Sequence, residues 1–227
     1  MELERYRRNL PEISPAQQDV LAEKHVLIVG CGGLGGYIIE ALARAGAGHL
    51  RLMDGDTFKE SDLNRQLLAS SMNLGRPKTL AARQRVLAVN SLVEVEESPY
   101  FLSVENAAEA LAGCHLAIDA LDNVPSRLLL AEACAKAGLP MLHGAVGAWY
   151  GQAALLPPGS KLLERVYPAH CRGLESAEKM AMLAPVVMQV AALQASLALR
   201  FLLGDEQPAD LLWHLDMERG SLEKISF

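Results

Sequence analysis

An apolar run from Val26 to Val29 breaks at once into Gly30, Gly32, Gly33, Gly35 and Gly36, and few folds can follow that pattern. Four consecutive apolar residues suit a buried strand. Glycines at this density suit a turn too tight for side chains, and Leu34 to Ala45 then reads as a helix. The turn's N–H groups and the positive end of the helix dipole would face a phosphate ester together. Asp54 closes a second strand where the dinucleotide fingerprint expects an acid for a ribose hydroxyl. The pattern favours a nucleotide site over a plain tight connection, but it does not choose between NAD and ATP.

The chain has 227 residues, enough for one α/β domain with a sizeable core. Its formal net charge of −6 argues against a broad electrostatic footprint for nucleic acid and favours a small molecule or a protein as partner. Cys31, Cys114, Cys134 and Cys171 include no C-x-x-C pair, so neither a disulfide framework nor a zinc knuckle is indicated. The expected compartment is reducing cytoplasm. The first residues hold no apolar signal core. Met180 to Leu203 is apolar but interrupted by Pro185, Gln189, Gln194, Ser196 and Arg200, which predicts a buried helix rather than a membrane span.

Taken in order, Arg5, Arg7 and Arg8 surround Tyr6 in what charge alone makes a solvated basic end. Ser14, Pro15 and Gln17 predict a capped helix to about Glu23. Gly55 to Gly75 is a long polar connection carrying Ser61, Asp62, Asn64, Arg65 and Gln66, and such segments are functional or disordered. Leu63, Leu67 and Leu68 argue against disorder. Pro77 opens a helix to about Val89 with Lys78 in its first turn, where the dipole disfavours a cation. Either an anion lies near Lys78 or the side chain is simply solvated.

Val93 and Val95 alternate with Glu94 and Glu96 as a half-exposed strand, and Ser103 is the expected cap of a short helix to Leu111. His115 to Ala120 is an apolar strand running into Asp119-Ala-Leu-Asp122-Asn123, and ligands of open α/β sheets bind beyond such strand ends. Asp122 is either the N-cap of the next helix, which begins at Pro125 and carries Arg127, or a metal or phosphate group. Further strands are expected at Leu139 to Ala145 and Gly151 to Leu156, then a loop from Pro157 to Lys179, and a final hairpin of Leu211 to Asp216 with Leu222 to Ile225. The implied fold is α/β, a Rossmann-like doubly wound, mainly parallel sheet extended by antiparallel strands. A single domain is expected: an N-terminal arm and helix (1–24), a nucleotide-binding part (25–145) and an antiparallel extension with a crossover loop and dimer helix (146–227).

Together these motifs resemble the ThiF/MoeB/HesA family, bacterial relatives of ubiquitin-activating enzymes. Arg5-Tyr6-Arg7-Arg8 resembles the family's R-Y-x-R, VGCGGLG its nucleotide loop, and Asp54-Gly55-Asp56 its D-x-D. Ser61-Asp62-Leu63-Asn64-Arg65-Gln66 resembles S-N-L-x-R-Q, Gly75-Arg76-Pro77-Lys78 resembles G-x-x-K, and Asp122-Asn123 with Arg127 resembles D-N-x-x-x-R. The resemblance implies that ATP and Mg²⁺ are bound and that the C-terminal carboxylate of a small ubiquitin-like sulfur carrier with a Gly-Gly end attacks the α-phosphate. An acyl adenylate and pyrophosphate result. By the same resemblance Gly33 lies under the nucleotide, Asp54 takes the ribose, Arg65 and Lys78 contact phosphates, and Asp122 holds Mg²⁺. Arg8 would complete the neighbouring site of a homodimer, and the Met180 to Leu203 helix would help form the shared core.

Three departures qualify the resemblance. Asp62 stands where the family has Asn, placing a carboxylate near the phosphates. The zinc-binding C-x-x-C pairs are missing, so no structural zinc is expected. Ala177 replaces the cysteine of members that form a thioester or persulfide, which excludes covalent transfer there; Cys171, beside His170, is either a substitute nucleophile or, since adjacent side chains in an extended loop point apart, no catalytic pair at all. His25, His49, His115, His143 and His214 show no metal spacing and default to packing; Trp149 and Tyr150 line a substrate groove or simply pack. The expected function is adenylation of the carrier, with the adenylate passed to a separate sulfur donor. A noncatalytic nucleotide-binding dimeric scaffold, or a peptide or tRNA substrate, are the alternatives, and an NAD oxidoreductase is a distant third.

Overall fold

The computed structural model describes residues 4–168, 180–205 and 211–227. Cys171, Ala177 and His170 lie outside them. The first turns are a 3-10 stretch Glu4–Asn9 and helix α1, Pro15–Ala22. Ser14 and Gln17 form the expected reciprocal capping box.

The apolar run becomes β1, His25–Val29, and the glycines lead into α2, Gly33–Ala45, which stops at Gly46 in the left-handed conformation. There follow β2 (His49–Met53), α3 (Lys78–Val89), β3 (Glu94–Ser98), α4 (Ala107–Leu111), β4 (Leu116–Asp119), α5 (Val124–Ala137), β5 (Met141–Gly147) and β6 (Tyr150–Leu156). After these come α6 (Leu162–Val166), α7 (Ala184–Leu202), β7 (Leu211–Asp216) and β8 (Ser221–Ser226). The strands form one sheet in the order β3-β2-β1-β4-β5-β6-β7-β8. β3 to β5 pair in parallel, and β6, β7 and β8 are added antiparallel.

Helices cover both faces. Ile38, Ile39 and Leu42 of α2, Val86 of α3 and Val187, Val190 and Leu197 of α7 share one core with Val26 and Ile28 of β1. Leu27 and Val29 point the other way, toward Leu130 and Cys134 of α5 and Leu162 and Leu163 of α6. A buried strand alternates its side chains between two cores, so β1 is apolar throughout. α7 is long and apolar enough by length and composition to cross a membrane, yet Val186, Val190, Ala191, Gln194 and Ala198 are buried against α2, β5 and β6.

Two local expectations shift. The segment expected to be loop from Pro157 contains α6, whose Leu162 and Leu163 supply core. Helix α4 starts at Ala107, with Asn106 rather than Ser103 in the cap position; Asn106 accepts a hydrogen bond from the Ser103 N–H at 2.8 Å. Asn donates and accepts through one amide, which lets it close this turn on both sides: its Nδ2 donates to the Phe101 carbonyl.

Candidate functional site

The C-terminal ends of β1, β2 and β4 open onto a cleft where the strand order reverses, the usual binding position of an open α/β sheet. Its wall includes Gly30, Gly32 and Gly33, Asp54 and Asp56, Arg65, Gln66 and Lys78, and Asp122, Asn123 and Arg127. Residues from five separate stretches of sequence therefore meet at one place. Ser61, Asp62, Asn64, Gly35 and Arg8 are outside this lining.

Glycine is required at the turn for two reasons. Gly30 has φ of 98°, and a Cβ on Gly35 would run into the Gly30 carbonyl. α2 can thus start directly against the end of β1. Asp54 braces the turn: its Oδ2 accepts from the Cys31 N–H at 2.7 Å and its Oδ1 from the Asp56 N–H at 2.8 Å. Burial raises the Asp54 carboxyl above its ordinary value, and these N–H groups only partly offset that. A carboxylate oxygen has a second lone pair, so a ribose hydroxyl remains within its capacity.

Lys78 is only 6% exposed, although it opens a helix. Its Nζ lies 2.9 Å from Asp56 Oδ2 and 3.9 Å from Asp62 Oδ2. Burial alone would lower its pKa, but the Asp56 hydrogen bond and the charges of Asp54, Asp56 and Asp62 outweigh it and raise the ammonium. Asp56 moves oppositely: burial would raise it, and the bonds from Lys78 and the Thr57 N–H lower it. A cation held charged at this buried helix start is suited to an anion in the cleft.

Arg65 is oriented by its own loop, donating to the Ser61 carbonyl at 2.8 Å and to Asn64 Oδ1 at 2.9 Å. Asn64 in turn donates to the Met182 carbonyl. Asp62, the departure that brought a carboxylate near the phosphates, is turned into the protein. Its Oδ1 accepts from Gln66 Nε2 at 2.6 Å and its Oδ2 from the Lys59 N–H at 3.0 Å. It closes the 3-10 turn Glu60–Asp62, and its Oδ1 also lies 3.7 Å from Arg65 Nη2.

Of the two readings of Asp122, the helix cap goes to its neighbour: Asn123 Oδ1 accepts from the Ser126 N–H at 2.9 Å. Asp122 is left exposed on the cleft, with Asn123 Nδ2 donating to its Oδ1 at 3.1 Å. Among the described residues no group of three His, Cys, Asp or Glu is arranged for a metal. Mg²⁺ needs no such cage, being held commonly by one or two carboxylates together with substrate phosphates, and Asp122 fits that chemistry.

Arg127 borders the cleft but is buried and directed inward, donating to the Gly144 carbonyl at 2.8 Å, to Tyr167 Oη at 3.2 Å and to the Leu121 carbonyl. Arg8 is exposed on the 3-10 stretch, which is anchored by Tyr6 Oη accepting from Asn90 Nδ2 at 2.7 Å and by a hydrogen bond from Arg5 to Asn90 Oδ1. Cys31 is fully buried, and burial pushes its thiol well up. It fills space beside the turn.

The sequence matches the ThiF family over residues 6–227. The chain belongs to the ThiF family. This ThiF-family chain is 40% identical over 156 residues to the sulfur carrier protein adenylyltransferase of Thermus thermophilus, covering 68% of this chain and 58% of that protein. It is 34% identical over 197 residues to the sulfur carrier protein ThiS adenylyltransferase of Bacillus subtilis, covering 86% of this chain and 59% of that protein. The chain thus spans about three-fifths of the length of these relatives. Among solved structures, E. coli MccB with ATP superposes with a TM-score of 0.83 at 25% identity, over 99% of this chain and 72% of that one.

Two groups of residues were not recognised from sequence. The buried Asp119 and His143 and the half-buried Gln152 and Tyr167 form a hydrogen-bonded chain under the Asp122 turn. His143, expected from sequence only to pack, bonds Asp119 at 2.7 Å. At the opposite end of the sheet, parallel register places His25, His49 and Glu94 side by side, with the His25 and His49 rings stacked 3.9 Å apart and His115 beside them. Neither grouping has a spacing signal in one sequence.

Proposed function

We propose that this chain is an ATP-dependent adenylyltransferase that activates the C-terminal carboxylate of a small ubiquitin-like sulfur carrier. The observation that carries the reading is the juxtaposition of the buried, charge-stabilised Lys78 and the loop-oriented Arg65 with the glycine turn, across one cleft from Asp122. The sulfur-carrier adenylyltransferases among the relatives supply the substrate class.

In this reading the turn N–H groups and Lys78 bind the triphosphate, and Asp54 holds the ribose. The carrier carboxylate attacks the α-phosphorus, the bond to the β-phosphate oxygen breaks, and pyrophosphate leaves with the electron pair. Lys78 and Arg65 stabilise the charge on the phosphates as it builds, and they are preorganised to do so. Asp122 would hold Mg²⁺, which when bound supplies further neutralisation of phosphate charge. Arg8, absent from the cleft of its own chain, is assigned to the site of a second copy in a homodimer. Asp62 is buried and answered by Gln66 and the Lys59 N–H, with Arg65 and Lys78 within 3.7 and 3.9 Å, so its charge tempers these two cations without occupying the cleft.

The test is carrier-dependent ATP–pyrophosphate exchange with candidate carriers ending in Gly-Gly. Exchange abolished by Arg65→Ala and Asp122→Ala supports the reading. ATP binding with no exchange for any carrier would leave a nucleotide-binding scaffold or a peptide or other substrate.

A further inference from the structure

We propose that Asp119, His143 and Tyr167 are positioning residues which, with Arg127, fix the Leu121 peptide and so aim Asp122 into the cleft; the inference rests on the adenylation reading. Leu121 is clamped at both of its backbone polar groups. Its N–H donates to Asp119 Oδ1 at 3.0 Å, and its carbonyl accepts from Arg127 Nη2. Asp122 is the next residue. The clamp extends well below the cleft: Asp119 Oδ2 lies 2.7 Å from His143 Nδ1, and the Asp119 carbonyl accepts from Gln194 Nε2 at 3.0 Å.

The proton positions follow from the donors. Gln152 Nε2 lies 3.0 Å from His143 Nε2 and can only donate, so His143 accepts there and carries its proton on Nδ1, toward Asp119. The same Gln152 amide donates to Tyr167 Oη at 2.9 Å, and Arg127 Nη1 donates to that oxygen at 3.2 Å. Tyr167 therefore orients the guanidinium that holds Leu121. Asp119 and His143 are 0% exposed and Arg127 is 6% exposed. Buried charges are costly to desolvate, and apolar packing would hold strands together as well. What this chain of polar groups adds is direction: it leaves the turn one orientation relative to the glycine loop.

The test uses Tyr167→Phe, which keeps the ring and removes only the hydroxyl, and His143→Leu, which breaks the chain at its centre. Amide hydrogen exchange is read across 121–124 and, as an internal reference, across Val26 to Val29. Exchange kinetics with ATP and pyrophosphate are normalised to active sites, and the Kd of a fluorescent ATP analogue is measured alongside. The expected result is faster amide exchange at 121–124 with the reference unchanged, kcat lower by about tenfold or more, and a nucleotide Kd within about threefold of wild type. Unchanged amide exchange at 121–124 in both variants overturns the proposal, as does a loss of activity that only tracks the folded fraction. Absence of carrier-dependent turnover in wild type would defeat the adenylation reading instead, while the amide-exchange comparison would still decide whether the clamp holds the turn.

Discussion

Lys78 Nζ and Asp56 Oδ2 are 2.9 Å apart at the start of α3, and the lysine is the more deeply buried partner. The pair explains why a cation tolerates a helix N-terminus, where the dipole opposes it. Replacing Lys78 with Gln removes a charge from the phosphate cleft and leaves Asp56 and Asp62 underneutralised. The expected cost is about 10²–10³ in kcat for ATP–pyrophosphate exchange. Urea denaturation should show a loss of about 1–3 kcal/mol.

The same pair sets an acid limb of stability. Burial raises the Asp56 carboxyl, but the Lys78 hydrogen bond, the Thr57 N–H and the charges of Lys78 and Lys59 together outweigh it and hold the group below its ordinary value. Its stabilisation is complete above the unfolded carboxyl value, about 4, and is lost as pH falls through the lower folded value. Asp56→Asn should flatten the wild-type decline below about pH 4, measured as urea midpoints across that range. Glu40, also lowered by Arg85 and Arg44 against its own burial, leaves a residual slope in the variant.

Most of the cleft was legible because its residues are local in sequence. The glycine turn, Asp54 and Lys78 each carry a conflict or constraint that shows in one window: a φ only glycine adopts readily, an acid at a strand end, a cation against a dipole. The mainly parallel, doubly wound sheet followed from alternating strands and helices. The clamp under Asp122 was not legible, because Asp119, His143 and Tyr167 come from β4, β5 and the end of α6 and meet only through the pairing of β4 with β5 and the packing of α6 against the sheet. Asp122 and Asn123 are both good N-caps by type, so one sequence could not decide between them. The direction of Asp62 was hidden for a similar reason: it depends on Gln66 and on the Lys59 backbone, not on the family position alone.

Asp62→Asn tests that direction. Among the described residues the buried Gln66 Oε1 has no hydrogen-bond partner, and an Asn at position 62 brings a donor whose hydrogen bond that oxygen can accept. The substitution also removes a negative charge 3.9 Å from Lys78. Tm should change little, and ATP affinity should rise by about two- to fivefold, the range of a modest charge contact. Isothermal titration with ATP checks it. A large loss of affinity would mean that the Asp62 carboxylate itself serves the cleft.

His143 gives a pH dependence of the opposite origin. Burial lowers its pKa, and the Asp119 hydrogen bond and charge oppose that without reversing it. In the unfolded chain a histidine titrates near 6.5, about the middle of the accessible range. As pH falls below that value the unfolded state takes up a proton that the native state refuses. Stability is therefore full above about pH 6.5 and declines toward the lower folded value, by at most about 1.4 kcal/mol per pH unit for one such group. His25 is shifted in the same direction, first by burial and then by His49 and His115, so it adds to the slope. His143→Leu should remove its share, and a second substitution, His25→Gln, should flatten what remains. Urea midpoints measured from pH 5 to pH 8 for wild type, single and double variants decide the matter, and an unchanged slope in His143→Leu would show that this imidazole titrates alike in the folded and unfolded chain.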